Sequence, residues 1–126
     1  MPHRVYVEEG SLVVEFRGPG LLELLKRKVK VPLADVTSVE AGLTWDDIRS
    51  QVPLRLFGFH VPGKVIEGVF VLLRDRTRAL FAVRDPSKAL LIRLRRGPYA
   101  RIYVEVPDPH AALAELRANI AKVGNR

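Results

Sequence analysis

The feature that most constrains this chain is a two-residue periodicity of apolar side chains, repeated through short segments and replaced near the end by a helical periodicity. Residues 4–8 and 12–17 alternate in this way, and residues 68–73 and 77–83 repeat the pattern. Such alternation is typical of strands with one buried face. A two-residue turn in each pair then predicts two antiparallel hairpins.

The turns also predict registers. With Glu9-Gly10 as the first turn, Val7 lies opposite Leu12 and Val5 opposite Val14. Asp75-Arg76 as the second turn likewise places Phe70 opposite Phe81 and Leu72 opposite Ala79.

Three more segments complete a set of seven predicted strands. Residues 29–40 are rich in β-branched side chains and contain a predicted turn at 32–35, while residues 90–95 and 101–106 alternate again. Residues 43–64 are interrupted by Pro and Gly. That segment predicts either an irregular strand with a bulge or a long loop.

The C-terminal segment predicts one amphipathic helix over about residues 108–123. Asp108 is a suitable N-cap, and Pro109 suits the first helical position because an N–H there would have no helical partner. From Leu113 to Val123 the apolar residues recur at spacings of three and four. This stripe must be buried against a sheet.

The predicted fold is therefore mainly β with one C-terminal helix. We expect a seven-stranded bent antiparallel barrel or sandwich, capped by that helix, in a single domain over residues 1–126. A chain of 126 residues, 48% of them hydrophobic, can bury such a core without disulfides, and this chain has no cysteine. Cysteine-based redox and metal chemistry is excluded.

The order of these elements resembles a pleckstrin-homology (PH) fold, and most of the chain from Val31 onward is similar to bacterial PH-like domains of uncharacterised proteins. The segments that carry the resemblance are 31–39, 58–63, 68–70, 80–83, 89–92 and 104–109. The resemblance implies a PH-like barrel, and its motifs determine the fold rather than a catalytic site.

One departure from that family concerns the first turn. In lipid-binding eukaryotic relatives this turn is basic and holds a phosphoinositide head group. Here it reads Glu8-Glu9-Gly10-Ser11, and its carboxylates would repel a phosphate. No phosphoinositide site is therefore expected.

The residue types that catalysis needs are not gathered in a recognisable motif. His3, His60 and His110 lack the spacing of metal ligands. Asp46-Asp47 is read as a helix start, with a paired-carboxylate site as the alternative. We therefore predict that the protein is not an enzyme and has no catalytic residues, metal or cofactor.

The charge balance points to anionic partners. Lys and Arg number 21 against 14 Asp and Glu, a net charge of +7. The candidate anion-binding patch consists of Lys26, Arg27, Lys28, Lys30, Arg93, Arg95, Arg96 and Arg101. Strand parity places Arg93, Arg95 and Arg101 with Tyr103 on one solvent face. The favoured interpretation of these residues is nevertheless a solvated surface that keeps a small protein soluble, because no series of aromatic residues for base stacking accompanies the charge, and the binding patch is the alternative.

A second candidate surface, suited to a protein partner, lies in the irregular segment. It consists of Leu56, Phe57, Phe59 and His60, where exposed apolar side chains would mark an interface. The sequence thus predicts a non-catalytic interaction or scaffolding module that binds a protein partner or a second copy of itself. Binding of anionic lipid head groups or nucleic acid is the alternative. With no long apolar run, a cytoplasmic location is expected.

Overall fold

The computed structural model describes residues 3–17, 28–49, 54–72 and 76–124. Within these residues the strands are β1 (Arg4–Glu8), β2 (Ser11–Glu15), β3 (Lys28–Pro32), β4 (Val36–Ala41), β5 (Leu54–Val61), β6 (Val65–Leu72), β7 (Thr77–Val83), β8 (Ala89–Leu94) and β9 (Arg101–Glu105). The α-helices are α1 (Trp45–Arg49) and α2 (Pro109–Gly124), and 3-10 helices cover Leu33–Asp35 and Pro86–Lys88.

The first described sheet contains β1, β2 and β3 in that order. Both predicted contacts of its hairpin are confirmed, since Val7 lies opposite Leu12 and Val5 opposite Val14. The connecting Glu9 and Gly10 both have positive φ angles, of 49° and 77°. A two-residue turn of this kind matches the twist of the strands and thereby sets their register.

The second described sheet has the order β4-β8-β9-β7-β6-β5. Its neighbours pair antiparallel, except that β7 and β9 run parallel, with Ala79 opposite Arg101 and Phe81 opposite Tyr103. Strand β8 runs antiparallel to β7 but is separated from it by the width of one strand. Strand β9 fills this place and pairs antiparallel with β8, so it runs parallel to β7.

The predicted class is confirmed: the protein is mainly β, with two packed sheets capped by a C-terminal helix. Two details differ from the expected seven antiparallel strands. The described residues contain nine strands, because the 3-10 helix Leu33–Asp35 divides segment 29–40 into β3 and β4 and because segment 43–64 contains β5. The second difference is the parallel pair β7 and β9.

The six-stranded sheet is buried on both faces. One face, which includes Leu90 and Ile92, packs against the three-stranded sheet in a first core. The other face includes Phe81 and Tyr103 and packs against Ile48 of α1 in a second core. The rings of Phe81 and Tyr103 are stacked with their centroids 4.3 Å apart. The prediction that Tyr103 lies on a solvent face is therefore wrong, because strand parity assigns a face but does not reveal what covers it.

Helix α2 confirms the predicted helix and its cap. The Asp108 Oδ1 atom accepts a hydrogen bond from the Ala111 N–H at 3.1 Å. Leu116 is 2% exposed in the first core, and the helix lies against β1, β4, β8 and the 3-10 helix Leu33–Asp35. The Arg117 guanidinium also donates to the Val39 carbonyl oxygen at 3.3 Å. The helix thus contacts β1 of the three-stranded sheet and β4 of the six-stranded sheet, each of which is an edge strand.

Segment 43–64 contains the helix α1, which neither alternative foresaw, and its described residues 54–61 form the bulged strand β5. Its register with β6 shifts between Arg55 and Phe57. Beyond the bulge Gly58 lies opposite Gly68, and both have positive φ angles, of 117° and 135°. A Cβ atom on Gly58 would lie 2.6 Å from the Gly68 Cα atom and still closer to the Glu67 carbonyl oxygen. The two strands can approach this closely only without a side chain at Gly58.

Helix α1 begins with a reciprocal cap. The Asp47 N–H donates to the Thr44 Oγ1 atom at 3.2 Å, and the Thr44 N–H donates to Asp47 Oδ2 at 2.8 Å. This exchange is the capping box that satisfies exposed N–H groups at a helix start. It agrees with the reading of Asp46-Asp47 as a helix start.

Candidate anion-binding site

An open cleft of about 340 Å³ lies at the end of the six-stranded sheet where β7 and β9 begin. Arg76 and Arg78 line it from the start of β7, while Arg95, Arg96 and Tyr99 line it from the loop between β8 and β9. The parallel pairing places the starts of β7 and β9 side by side. Two segments that are far apart in the sequence therefore form one site.

Main-chain hydrogen bonds hold the loop between β8 and β9. The Leu94 N–H donates to the Ala100 carbonyl oxygen at 2.9 Å, and the Ala100 N–H donates to the Arg78 carbonyl oxygen at 2.8 Å. Within the loop Gly97 adopts a φ of 111°, which a residue with a side chain rarely adopts. The loop is thus fixed to β7, the strand that carries Arg78.

Asp35 anchors the other side of the cleft. Its carbonyl oxygen accepts a hydrogen bond from the Arg95 N–H at 2.8 Å, and its Oδ1 atom lies 3.3 Å from Arg96 Nε. The Arg96 side chain is 74% exposed, whereas that of Asp35 is 16% exposed. An ion pair exposed to this degree contributes little stability, but it restricts where the guanidinium lies.

The cleft is electrostatically one-sided. Among the described residues that line it, four are arginines and none is acidic. Each guanidinium presents N–H donors in a planar fork that matches a phosphate or carboxylate. Arg76 has a φ of 58°, in the left-handed region that residues with side chains seldom occupy.

The structure divides the predicted basic patch. Arg95 and Arg96 lie in the cleft, but Lys28 and Lys30 lie on β3 in the other sheet. Lys28 Nζ is 4.0 Å from Glu15 Oε2, and Lys30 Nζ is 3.8 Å from Glu8 Oε2. These lysines are therefore partly neutralised. Lys26 and Arg27 lie outside the described residues.

Arg93 and Arg101 form a separate part of the predicted patch. They lie directly opposite each other on β8 and β9, as strand parity predicts. Both side chains are half-buried, and Arg93 Nε lies 3.7 Å from Glu40 Oε1. The sheet face that they share continues into the second core through Leu91 and Tyr103 rather than into solvent. They border that core and are not among the residues that line the cleft.

Sequence reasoning missed Arg76 and Arg78. The signal available was the alternation of arginines in Arg74-Asp75-Arg76-Thr77-Arg78. It was not used because the prediction placed Asp75-Arg76 in a hairpin turn and gathered the second basic cluster only around the last hairpin, at residues 93–101. The parallel pair of β7 and β9 brings these segments together.

The predicted protein-binding surface falls on β5, an edge strand of the six-stranded sheet. Phe57 lies opposite Val69 and Phe59 opposite Glu67, while Leu56 falls at the bulge. The side chains of Leu56, Phe57 and Phe59 are outside the described part of the structure. His60 is half-buried and lies opposite Ile66.

A second group of titratable side chains surrounds His3 at the other end of the sandwich. The Arg17 N–H donates to His3 Nδ1 at 3.1 Å, and the His3 ring meets Phe16 edge-on with the centroids 5.3 Å apart. Burial lowers the pKa of His3, while the carboxylates of Glu67 and Glu105 act in the opposite direction. These contacts fix His3 as a packed residue at the start of β1.

The described ranges hold no group of three or more His, Cys, Asp or Glu side chains placed to bind a metal ion. None of their helices combines the length and the apolar character needed to cross a bilayer.

Comparison of the chain with family models, curated proteins and solved structures finds no match in any of the three. The site geometry is therefore the basis of the functional argument.

Proposed function

We propose that this chain is a non-catalytic interaction module that holds a phosphate-bearing anionic partner in the arginine cleft. The observation that carries the proposal is the convergence of Arg76, Arg78, Arg95 and Arg96 on one cleft whose described lining contains no carboxylate. Guanidinium groups bind phosphate through paired hydrogen bonds as well as through charge. The function is recognition, and no chemical step is assigned to the cleft.

Two further properties favour binding at this cleft. Its loop is held by main-chain hydrogen bonds from Leu94, Arg95 and Ala100, so little backbone entropy is lost when a ligand binds. The net charge of +7 adds a long-range attraction for anions, which a concave site concentrates. Both effects act on any phosphate ester and account for affinity rather than for selectivity.

A PH-like relationship is part of the same proposal. It is supported by the two packed sheets and by the C-terminal helix that caps them. The parallel pairing of β7 with β9 departs from the antiparallel barrel that the resemblance implies. The phosphate site proposed here also differs in position from the lipid site of that family. It lies at the end of the six-stranded sheet where β7 and β9 begin, and not at the turn after Glu8.

Titration with sodium tripolyphosphate at low ionic strength tests the proposal. A double variant, Arg95→Glu with Arg96→Glu, is expected to lose binding measured by calorimetry. The matched control, Lys64→Glu with Lys88→Glu, makes the same charge change at the start of β6 and of β8, which is the opposite end of the sheet. The proposal is wrong if the natural protein does not bind tripolyphosphate or if both double variants lose affinity equally.

A second candidate function is self-association through β5. Within the described residues β5 pairs with β6 alone, so its other edge presents main-chain donors and acceptors to a second chain. Val61, at the end of β5, is 45% exposed and is the one large apolar residue exposed to this degree among the side chains that the structure describes. Sedimentation velocity is expected to show a concentration-dependent dimer that Val61→Glu weakens. A monomer at all concentrations would contradict this candidate.

A further inference from the structure

Tyr99 distinguishes the cleft from a simple charged surface. Its ring packs partly against the first core and also lines the cleft beside the arginines. The contact with the core restricts the ring, so it offers a fixed aromatic surface at low entropic cost. A phosphate ion makes no use of such a surface, whereas a ligand with a planar ring does.

The size of the cleft also exceeds what a lone phosphate requires. Its volume of about 340 Å³ falls within the range of roughly 300–1,000 Å³ that is typical of sites for larger ligands. The arginines approach from two directions, with Arg76 and Arg78 on one side and Arg95 and Arg96 on the other. A ligand that contacts both sides needs more than one anionic group.

Resting on the proposed function, we infer that the partner is single-stranded nucleic acid, whose phosphates contact the cleft arginines while one base stacks on Tyr99. A single strand carries one phosphodiester per nucleotide and exposes the faces of its bases. Proteins that bind such strands combine a basic groove with an aromatic side chain for stacking, and arginine planes stack on bases as well. The cleft contains both components.

A membrane surface fits the same residues less well. Binding to a bilayer is strengthened by apolar side chains that insert beside the basic groups. Among the side chains that the structure describes, the large apolar one with high exposure is that of Val61, at the turn between β5 and β6. The cleft lies at the other end of these strands, near the start of β7, a strand length away.

A peptide that adds a strand to the sheet is also disfavoured at the cleft. The strands that reach it, β7, β8 and β9, each have a neighbour on both sides in the six-stranded sheet. Their main-chain groups are therefore already paired, and a peptide would have to bind through side chains alone. An anionic polymer needs no such pairing.

Fluorescence anisotropy with a fluorescein-labelled oligouridylate of about ten nucleotides, a length within the site sizes of single-strand binders, tests the inference. Because the Arg96 guanidinium is ion-paired with Asp35, we expect the other three cleft arginines to neutralise three phosphates of the strand. A fourfold rise in salt should then lower affinity about 20-fold. Tyr99→Leu should lower oligouridylate affinity about tenfold, as expected for one lost stacking contact. It should lower tripolyphosphate affinity by a smaller factor, and Tyr99→Phe should preserve both affinities.

Two measurements protect this test from unfolding of the variant. Thermal unfolding reports whether Tyr99→Leu is folded, and NMR of the unmodified protein should show the Tyr99 ring resonances shifting with oligouridylate but not with tripolyphosphate. The inference is wrong if the ring resonances do not move or if Tyr99→Leu lowers both affinities equally. It is also wrong if a duplex of the same length, or vesicles of phosphatidylserine in phosphatidylcholine, bind the protein more tightly than the oligouridylate does. Failure of tripolyphosphate to bind would instead refute the proposed function.

Discussion

Replacing Gly58 with alanine adds only one methyl group, but it should strongly destabilise the protein. The φ of 117° at Gly58 is a conformation that costs a residue with a side chain about 1–3 kcal/mol. The new Cβ would also meet the main chain of Glu67 and Gly68, which cannot move away without separating β5 from β6. Losing two interstrand hydrogen bonds adds about 1–3 kcal/mol. We expect a total loss of about 2–6 kcal/mol.

Urea denaturation followed by the fluorescence of Trp45, the one tryptophan in the sequence, measures this loss. Gly63→Ala is the matched control because Gly63 lies in the turn between the same two strands, has a φ of 78° and leaves open space around a new Cβ. It should cost about 1 kcal/mol, the penalty of the left-handed backbone alone. Free energies of unfolding that differ by less than about 1 kcal/mol between the two variants would refute the argument, since the reasoning requires a steric contribution beyond the backbone penalty.

Three further predictions concern the cap, the cleft and His3. Thr44→Ala should lower the free energy of unfolding by about 1 kcal/mol, and an unchanged urea midpoint would contradict the capping box with Asp47. Asp35→Asn should raise tripolyphosphate affinity, because Arg96 loses its competing anion; calorimetry showing weaker binding would contradict this. Since burial lowers the pKa of His3, the folded protein binds fewer protons than the unfolded chain, and stability should fall as the pH drops below about 6.5. His3→Gln should reduce that fall in urea titrations at successive pH values, and an identical pH dependence would refute the assignment.

The turn residues made the register of the first hairpin predictable, but the register of the second hairpin could not be predicted in this way. Glu9 and Gly10 form a two-residue turn, so the pairs around them follow from the sequence. Phe70 lies opposite Ala79 rather than Phe81, because β6 ends at Leu72 and the connection to β7 is four residues long instead of two. This change of register keeps each side chain on its face. Phe70 and Phe81 therefore still meet edge-on, with their centroids 5.3 Å apart.

The site was predictable only in part, for a reason that lies in the order of the strands. Arg95 and Arg96 were found because they form a basic cluster beside a predicted turn. Arg76 and Arg78 were not, because apolar periodicity identifies strands and their faces but not which distant strands become neighbours. That β9 lies beside β7 is decided by how the whole sheet packs against the three-stranded sheet and α2.

The position of β9 also bears on how the sheet assembles. Because β9 fills the place between β7 and β8, neither of those strands has a neighbour on both sides until residues 101–105 have docked. Contacts between strands far apart in sequence form slowly, since the loop between them must close first. The two walls of the arginine cleft come from such distant segments, so a ligand that bridges them binds the native state and stabilises it against unfolding.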